Sequence, residues 1–552
     1  MPARTIVVLG GALSGPTAAA RARETDPFAR IIILERSRDV SYAGCALAYH
    51  VSGEVPLLDS LNQEKADFFD RVYGIEVRTG VEITRIDPGA RSVHWKGGSE
   101  KYDSLVYATG AQSIAPRHPS LRDAANVLPL RNLKDLEAVM ALLANGARRV
   151  AILGGGFFGI EAADAFLRRG SEVTIVERGP GILPRFSESL SGTAAEALRA
   201  EGARIHAGTV VTKVGRTGGL VQGLTLRNGI SFETDLVISA SGLRPRTGLL
   251  RKAGAKLNPD GTVKVDARCA TSLPRIFACG VCVSLPHIVS GKPIWFAQAS
   301  QADKTAQVAG ANAAGGTARM GAVTGTALLR AGRVTIGGTG LGLEESAVFA
   351  GKKNLGVSRI HAPSCDVFFP GSSPLSVELY YDTRSGRLLG AQVAGSSSAD
   401  KRLDVLATAV AAGLTVEQLA GLDLAYEPPY STARDPINVA GAVGSADRSG
   451  MAMAWSVSDL SSKKKTVSIV DVRAPAERRS GMISGSTAIG LSEILSGKGA
   501  FRKGRTVVFV SGTGRRAYLA ARLAERAGIR KAGYLSGGLA SWVSSGKALS
   551  AK

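Results

Sequence analysis

The stretch TIVVLGGALSGPTAAARARE, residues 5–24, decides the fold of the N-terminal part of the chain. Its apolar run predicts a buried β-strand, and the alanine-rich part after Pro16 predicts a helix. Gly10 permits the tight turn between them, and Gly15 lets the helix approach the strand closely. Ala12 stands where the strictest form of this pattern has its middle glycine. The stretch therefore predicts a strand–turn–helix unit that binds a dinucleotide.

The same pattern recurs further along the chain, and an acidic residue follows each copy. After the first copy, IIILERS ends a second strand at Glu35, placed to bind a ribose 2′-hydroxyl. The second copy, residues 148–170, supplies the glycines Gly154, Gly156 and Gly159. Its strand ends at Glu177, whose carboxylate repels a 2′-phosphate and so favours NADH, whereas the adjacent Arg178 leaves NADPH open. Two such units predict two bound dinucleotides.

The composition limits the class of protein and its partners. The 552 residues suffice for three or four domains, and no apolar run is long enough to span a membrane. Five cysteines and the absence of a signal-peptide pattern favour a reducing cytoplasm. The net charge is +22, of which +13 falls in residues 445–552. This basic tail suggests an acidic partner, a polyanionic ligand or a membrane surface, or else an ordinary solvated face; no nucleic-acid motif is present.

Cys45 stands apart from the other cysteines in the stretch SYAGCALAYH, residues 41–50. It follows Glu35 by ten residues, and no second cysteine lies near it in the sequence. At the start of a helix its thiolate would be stabilised by backbone N–H groups. Either Cys45 is a redox thiol whose partner is not a neighbouring cysteine, or it is a small buried hydrophobic residue.

Two glycine turns with one isolated cysteine resemble the FAD- and NAD(P)H-dependent pyridine nucleotide–disulfide oxidoreductases. The cysteine segment resembles that of the coenzyme A disulfide reductase, NADH oxidase and NADH peroxidase group, which usually has Gly and Pro where this chain has Ala46 and Ala48. The resemblance implies that FAD lies over the helix that begins at Cys45 and that NADH, or alternatively NADPH, reduces it. It further implies that Cys45 attacks a disulfide or persulfide and forms a covalent adduct.

The stretch LAYEPPYS, residues 424–431, resembles the tyrosine-bearing motif of the dimerisation domain of these enzymes. It implies a homodimer in which Tyr426 or Tyr430 reaches the partner subunit's active site and protonates a leaving thiolate; a structural tyrosine is the alternative. Phe369 stands where coenzyme A disulfide reductases tend to have a tyrosine. Arg21 and Arg23 match a basic helix stretch that contacts coenzyme A in relatives, although surface arginines on helices are common.

The sequence departs from the family at the flavin loop, RIFACGVCVSLPH, residues 275–287. Val281 follows Gly280 where the family usually has an aspartate that binds the ribityl chain of FAD, so we expect FAD to bind more weakly by roughly 1.5–3 kcal/mol. The CxxC formed by Cys279 and Cys282 lacks a second CxxC or a histidine pair, so no metal site is predicted. The resemblance implies further cofactor contacts at Arg36, Ser41, Thr109 and Gly110.

The C-terminal segment from Thr466 resembles a rhodanese domain. Its loop SGTGRR, with Ser511, Gly514 and Arg516, matches the rhodanese active loop, in which backbone N–H groups form an anion cradle. That loop normally opens with a cysteine, and the serine hydroxyl of Ser511 cannot form a stable persulfide. Met482 also replaces the usual histidine. The domain is therefore expected not to catalyse sulfur transfer from thiosulfate, and either binds an anion or a partner, or is structural.

These observations predict an α/β protein with two Rossmann-like domains, an α+β dimerisation domain and a rhodanese-like domain. The predicted boundaries are 1–113 with 245–316 for FAD, 114–244 for NAD(P)H, 317–443 for dimerisation, 444–465 for a linker and 466–552 for the rhodanese-like domain. The predicted function is NAD(P)H-dependent reduction of a disulfide, persulfide or polysulfide of the coenzyme A class. The alternatives are an NADH oxidase or peroxidase in which Cys45 cycles through sulfenic acid, and a weakly active flavoprotein that binds sulfur compounds or docks a partner.

Overall fold

The computed structural model of the chain describes residues 3–61, 64–496, 505–526, 528–529 and 531–550. The chain divides into two compact units. The first unit comprises Met1–Pro180 and Gly202–Val323, and the second comprises Gly181–Glu201 and Thr324–Lys552.

Residues 3–145 begin with the strand, turn and helix that the sequence predicts. The strands are β1 (Thr5–Leu9), β2 (Arg30–Leu34), β3 (Ile75–Arg78), β4 (Ile83–Asp87), β5 (Ser92–Trp95), β6 (Gly98–Lys101), β7 (Ser104–Tyr107), β8 (Ala111–Ser113) and β9 (Val127–Leu128). The helices are α1 (Ser14–Thr25), α2 (Leu47–Ser52), α3 (Ala66–Tyr73) and α4 (Leu133–Ala144).

Residues 146–323 repeat this strand–turn–helix pattern. The strands are β10 (Arg149–Leu153), β11 (Glu172–Val176), β12 (Arg204–His206), β13 (Val211–Thr217), β14 (Leu220–Leu226), β15 (Ser231–Glu233), β16 (Leu236–Ser239), β17 (Leu243–Pro245), β18 (Ile276–Ala278), β19 (Leu285–Pro286) and β20 (Pro293–Ile294). The helices are α5 (Phe157–Arg168), α6 (Glu188–Ala200), α7 (Gly248–Lys252) and α8 (Ala299–Ala313).

Residues 324–550 contain the remaining elements, and α6 belongs with them in the second unit. The strands are β21 (Ala327–Ala331), β22 (Val334–Gly340), β23 (Leu355–Pro363), β24 (Pro374–Asp382), β25 (Leu388–Gly395), β26 (Met453–Trp455), β27 (Ser468–Asp471), β28 (Thr487–Ala488), β29 (Val507–Val510) and β30 (Ala532–Leu535). The helices are α9 (Leu343–Ala350), α10 (Ala399–Ala412), α11 (Val416–Ala420), α12 (Pro436–Arg448), α13 (Val457–Lys463), α14 (Pro475–Arg478), α15 (Leu491–Leu495), α16 (Arg515–Arg526) and α17 (Gly538–Ser544).

The first unit contains two five-stranded parallel sheets, in the orders β18-β7-β1-β2-β3 and β12-β11-β10-β16-β9, together with smaller sheets. Their central strands are apolar along most of their length because both faces are covered, and Val7, Ile32 and Ile152 are fully buried. Strands β1 and β10 each run parallel to the strands on both sides of them. The glycine turn that follows each strand therefore lies at the carboxyl edge of its sheet. That edge is where open α/β sheets bind ligands. The predicted fold class is confirmed for these two domains.

The second unit contains an antiparallel sheet in the order β21-β22-β25-β24-β23 and a parallel sheet in the order β26-β30-β29-β27-β28. In the antiparallel sheet, β24 and β25 are joined by a short turn, and helix α10 follows them. The antiparallel sheet corresponds to the predicted dimerisation domain and the parallel sheet to the rhodanese-like domain, so the fold class is confirmed here as well.

The segment 444–465 is not a linker, contrary to the prediction from its small and polar residues. It contains the end of α12, strand β26 and helix α13. Strand β26 pairs with β30, and Met453 lies opposite Gly533. A side chain at Gly533 would lie 2.6 Å from the Met453 carbonyl oxygen and 2.7 Å from Trp455 Nε1. This strand therefore forms through a partner about eighty residues away, which local composition does not reveal. The other predicted domain boundaries stay predictions.

Within the second unit, buried polar contacts join the rhodanese-like sheet to the elements of the antiparallel sheet. Tyr534 on β30 donates its hydroxyl to Asp447 Oδ1 on α12 at 2.7 Å, and the buried Asp447 Oδ2 has no hydrogen-bond partner among the described residues. Ser541 on α17 lies 2.8 Å from His361 Nε2 on β23. Burial raises the pKa of Asp447 to about 7 and lowers the pKa of His361 to about 4. These two groups therefore couple the packing of the two sheets to pH.

The raised pKa of Asp447 predicts how Asp447→Asn changes the pH dependence of stability. Because the folded pKa exceeds the unfolded one, the stability contributed by protonated Asp447 is complete below about pH 4 and is lost as pH rises through about 7. His361 acts in the opposite sense, since its folded pKa is lowered, and it is unchanged in the variant. Asp447→Asn should therefore raise the thermal midpoint relative to the wild type by roughly 2–8 °C more at pH 8 than at pH 5. Differential scanning calorimetry measures this, and a difference that does not vary with pH contradicts the assignment.

A search of the described residues finds no helix that combines the length and the apolar character needed to cross a membrane.

Candidate functional site in the first unit and the loops of the second

The first glycine turn requires its glycines. Gly10 has φ +109°, and a side chain there would meet the Ala108 carbonyl oxygen at 2.4 Å. A Cβ on Gly15 would lie 1.7 Å from the Gly10 carbonyl oxygen, so the start of α1 lies directly against the turn. Ala12 is partly exposed, and the residue of the turn that packs against Glu35 is the neighbouring Gly11. The turn therefore keeps its close approach despite the alanine at position 12.

The second turn repeats this geometry. Gly154 has φ +115°, and a Cβ there would meet the Ala240 carbonyl oxygen at 2.5 Å. A Cβ on Gly159 would lie 1.9 Å from the Gly154 carbonyl oxygen, whereas Gly156 faces open space. Open space at the middle glycine leaves room for a ligand to approach the backbone. Both turns can thus hold a pyrophosphate over the start of the helix that follows.

The two acidic residues predicted to bind ribose occupy equivalent positions. Glu35 Oε2 accepts the N–H of Gly11 at 2.6 Å, and Glu177 Oε2 accepts the N–H of Gly155 at 2.7 Å. Their other oxygens accept N–H groups of Ser37 and Gly179. These bonds hold each carboxylate beside its glycine turn, and Oε2 of each residue, which accepts one of these bonds, retains a lone pair for a ribose hydroxyl.

Cys45 is the exposed cysteine of the chain, and the other four are buried. It lies in a short 3-10 turn, Gly44–Ala46, immediately before helix α2. The segment is attached to the first glycine turn because Ser41 donates its N–H to the Gly11 carbonyl at 2.7 Å. Arg169 holds the end of α2 through a 3.0 Å hydrogen bond to the Val51 carbonyl. The structure therefore presents the thiol at a helix start anchored beside the predicted FAD turn.

The buried thiols have the opposite character. Burial raises the pKa of both Cys269 and Cys282 to about 12. Cys279 is fully buried, and its pKa is also raised well above the usual value. Thiols with raised pKa values are poor nucleophiles at neutral pH. Of the five cysteines, Cys45 is the one with an exposed side chain.

The loop around Gly280 packs against the start of α1. Gly280 has φ +79°, and a Cβ there would meet Ser14 Oγ at 2.5 Å. Its N–H donates to Thr305 Oγ1 at 2.9 Å, and the carbonyl of Val281 accepts the indole N–H of Trp295 at 2.8 Å. The loop is therefore fixed by its backbone even though Val281 supplies no charged group. Thr109 and Gly110, also predicted to contact FAD, follow the end of β7 beside the first glycine turn.

Sequence reasoning missed a group of charged and aromatic residues in the first unit: Tyr42, Arg131, Glu161 and Arg246. Burial raises the pKa of Tyr42 to about 12, against the opposing charges of Arg246 and Arg131. Burial also raises the pKa of Glu161 to about 7, against the charge of Arg131. The signal available in the sequence was a charged residue within an otherwise apolar stretch, as at Glu161 in FFGIEAADAF. Arg131 and Arg246 lie in loops after strands and gave no such signal.

Tyr426 and Tyr430 lie on an exposed loop of the second unit. Tyr426 donates its hydroxyl to Asp366 Oδ2 at 2.7 Å, and this hydrogen bond raises its pKa. Arg402, which is 1% exposed, donates to the Tyr430 carbonyl at 3.2 Å and to Asp435 Oδ2 at 2.9 Å. The buried Arg402–Asp435 pair thereby fixes the backbone at Tyr430.

The two arginines predicted to contact coenzyme A differ in their surroundings. The guanidinium group of Arg23 donates hydrogen bonds to four backbone carbonyls, those of Pro27, Ala29, Tyr73 and Gly74. Arg21 is exposed and forms a 2.7 Å ion pair with Glu24 on the same helix. Exposed pairs of this kind stabilise the fold little, so Arg21 can exchange its partner for an anion. Of these two arginines, Arg21 is therefore the one that can bind an anion such as a phosphate of coenzyme A.

In the rhodanese-like loop the hydroxyl of Ser511 occupies the anion cradle. Ser511 Oγ accepts the N–H groups of Gly514 and Ala517, each at 3.2 Å. Arg516 forms two hydrogen bonds with Glu477, and these lower the pKa of Glu477 to about 2. Gly538 allows the loop to pack tightly, since a Cβ there would meet the Ser511 carbonyl oxygen at 2.3 Å. Two N–H groups of the loop and the charge of Arg516 are therefore already paired.

The loop geometry predicts the effect of restoring a thiol. In a Cys45→Ser background, which removes the exposed thiol elsewhere, the chain should form no thiocyanate from thiosulfate and cyanide. Adding Ser511→Cys places a thiolate where Gly514 and Ala517 donate, so sulfur transfer should become measurable, and Ser511→Ala should stay inactive. The pairing of Arg516 with Glu477 should keep this activity low. Thiocyanate formation by the chain that retains Ser511 contradicts the prediction.

Comparison with family models assigns three regions. Residues 4–314 match the model described as pyridine nucleotide-disulphide oxidoreductase. Residues 332–436 match the dimerisation domain of the same family, and residues 454–545 match the rhodanese-like domain. These matches confirm the resemblance drawn from the paired glycine turns, the tyrosine motif and the C-terminal segment.

Comparison with individual proteins gives the same picture. The solved structure of reduced CoADR-RHD from Bacillus anthracis has a TM-score of 0.93 and 28% identity, and the match covers 99% of this chain and 98% of that one. An NAD-dependent persulfide reductase from A. fulgidus has a TM-score of 0.91 and 30% identity, with 98% and 100% covered. An NADH oxidase from Methanocaldococcus jannaschii is 27% identical over 443 residues, which cover 79% of this chain and 97% of the relative.

Proposed function

Because the chain belongs to the pyridine nucleotide-disulphide oxidoreductase family, we propose that it reduces a coenzyme A disulfide or persulfide with NADH through Cys45. As a member of this family it is an FAD-dependent NAD(P)H oxidoreductase. The observation that carries the proposal is the position of Cys45. It is the exposed thiol at the start of α2, whereas the other four cysteines are buried.

The proposed reaction uses Cys45 as the nucleophile. Its thiolate attacks one sulfur of the substrate, so a Cys45–sulfur bond forms, the substrate S–S bond breaks, and the leaving thiolate takes up a proton. FAD, when bound, accepts a hydride from NADH and supplies the two electrons that cleave the adduct. Cleavage releases the second thiol and returns the Cys45 thiolate. NADH, one proton and one disulfide are consumed, and NAD⁺ and two thiols are formed.

Residues of both units support separate parts of this reaction. Glu177 binds the adenosine ribose of the nicotinamide dinucleotide and favours NADH, because its carboxylate repels the 2′-phosphate of NADPH. Tyr426 already donates its hydroxyl to Asp366, so we assign proton delivery to the leaving thiolate first to Tyr430. Arg21 is the basic side chain left at the surface of α1 for the phosphates of coenzyme A.

The proposed active form is a homodimer in the cytoplasm. An apolar surface surrounds the two tyrosines in the second unit, where Val367 is 78%, Phe368 is 74% and Tyr430 is 65% exposed. Large exposed apolar groups in one patch indicate an interaction surface, and a second copy of the chain is the occupant expected from the matched dimerisation domain. In that dimer Tyr430 belongs to the partner subunit's active site.

Turnover with alternative acceptors tests the proposal. In anaerobic assays, NADH should be oxidised rapidly when coenzyme A disulfide or persulfide is added. Each NADH should yield two thiols from the disulfide, or one thiol and one sulfide from the persulfide. NADPH should react more slowly, and Glu177→Ala should narrow that difference by weakening the preference for NADH. Flavin reduction by NADH without turnover of any sulfur acceptor contradicts the proposal.

A second candidate function is NADH oxidation by oxygen, supported by the similarity to the NADH oxidase of Methanocaldococcus jannaschii and by the exposure of Cys45. In this case Cys45 cycles between the thiolate and sulfenic acid. Oxygen consumption that matches NADH oxidation and exceeds the rate with sulfur acceptors favours this candidate.

A further inference from the structure

We infer that Arg246, which follows β17, binds the diphosphate of FAD and contributes the charged contact that Val281 does not. The inference rests on the assignment of FAD to the first unit. It concerns a residue that neither the glycine pattern nor the family resemblance singled out. Three observations carry it: the placement of the Arg246 backbone, the state of its guanidinium group and the charges around it.

The backbone of Arg246 lies at the edge of the sheet where the first glycine turn opens. Its N–H donates to the Gly110 carbonyl at 2.9 Å, and its carbonyl accepts the hydroxyls of Tyr107 and Thr109, each at 2.7 Å. These residues lie at and just after the end of β7, which pairs directly with β1. Arg246 is therefore fixed beside the turn that holds the FAD diphosphate over α1.

The guanidinium group of Arg246 has a buried donor that no protein acceptor satisfies. Arg246 Nε is shielded from solvent, and no hydrogen-bond acceptor for it is found in the part of the chain that the structure describes. Arg131 Nε is in the same state, and its guanidinium carbon lies 4.3 Å from the centre of the Phe158 ring. An unpaired buried donor of a charged group is unfavourable, so a nearby ligand with several anionic oxygens fits both arginines.

The surrounding charges indicate which part of FAD Arg246 meets. Burial lowers the pKa of Arg246, and the positive charges of Arg36 and Arg131 lower it further, while Tyr42 and Glu35 oppose this. Three positive groups therefore repel one another here, and a diphosphate relieves that repulsion. Glu35 is the ribose-binding residue of the adenosine half, and Cys45 marks the flavin half. Arg246 lies within electrostatic reach of Glu35 and of Tyr42, which is three residues before Cys45, so we assign it to the diphosphate that joins the two halves.

The experiment measures FAD binding by apoprotein that has been stripped of flavin, with the quenching of flavin fluorescence as the signal. Arg246→Gln should raise the Kd roughly 10- to 100-fold, because a hydrogen bond to a charged group is lost. Arg244→Gln, two residues earlier on β17 and exposed, is the matched control and should stay within about twofold of the wild type. The Kd of the wild type should also rise more steeply with salt than that of Arg246→Gln, since an ion pair is screened.

The thermal midpoint separates binding from a structural role. Without FAD, Arg246→Gln should be at least as stable as the wild type, because the repulsion among the arginines is reduced. With FAD, its midpoint should rise less than that of the wild type. If Arg246→Gln does not fold, Arg246→Lys keeps the charge and should give an intermediate Kd. A Kd of Arg246→Gln within twofold of the wild type, or equal loss of stability with and without FAD, overturns the inference. Failure of the wild type to bind FAD overturns instead the assignment on which it rests.

Discussion

Cys45→Ser should lower turnover with disulfide and persulfide substrates by roughly 1,000-fold or more, while NADH still reduces the flavin at close to the wild-type rate. Hydride transfer from NADH to FAD does not involve the thiol, whereas the attack on the substrate sulfur requires a thiolate that serine cannot supply. Stopped-flow absorbance of the flavin measures the first half-reaction, and thiol release measures the second. The two rates should therefore separate in this variant.

Cys269→Ala is the matched control for Cys45→Ser. Cys269 is fully buried in an apolar cluster of the first unit, so its replacement removes a thiol without touching the exposed one. It should lower the thermal midpoint slightly and leave sulfur turnover unchanged. Sulfur turnover that survives in Cys45→Ser, or is lost equally in both variants, shows that Cys45 is not the nucleophile.

Arg402→Met should destabilise the second unit by roughly 3–5 kcal/mol. Arg402 is 1% exposed, and its loss leaves the carboxylate of Asp435, which is 4% exposed, buried without its cation. The carbonyls of Ser364 and Tyr430 lose the same donor. The loop that carries Tyr430 should loosen first, and hydrogen exchange of its backbone measures this alongside thermal unfolding.

A surface ion pair of the same unit provides the control for Arg402. Arg333 pairs with Glu201 at 3.1 Å, but its side chain is 88% exposed, so Arg333→Met should change stability by less than about 0.5 kcal/mol. The double variant Arg402→Met with Asp435→Asn should recover part of the loss, because no unpaired charge remains buried. Equal effects of Arg402→Met and Arg333→Met contradict the role given to the buried pair.

The parts of the fold that the sequence predicted are those that depend on local backbone requirements. Gly10 and Gly154 have positive φ values, and a Cβ on either would lie within 2.5 Å of a carbonyl oxygen, so no other residue suits the turn. Glu35 lies 24 residues after Gly11 and Glu177 lies 22 residues after Gly155, since a helix of 12 residues and a strand of 5 residues separate each turn from its acidic residue. Both features occur twice, and this repetition is why the sequence predicted two nucleotide-binding domains.

The features that the sequence did not reveal depend on partners far along the chain. Strand β26 lies in a segment of small and polar residues, and its hydrogen bonds come from β30. Arg402 and Asp435 each look like ordinary surface charges until the fold buries them together. Arg246 is likewise one arginine among many in a basic chain, and its place beside Gly110 follows from the return of the chain to the first sheet.

The identification of a sulfur adduct on Cys45 tests the central claim most directly. Holoenzyme with oxidised flavin and Cys45 as the free thiol is incubated with coenzyme A disulfide. It is then digested without reductant and examined by mass spectrometry. The account predicts one coenzyme A on the peptide that contains Cys45, none on peptides with the four buried cysteines, and its release as free thiol when NADH is added before digestion. An unmodified Cys45 in enzyme that still reduces coenzyme A disulfide would contradict it.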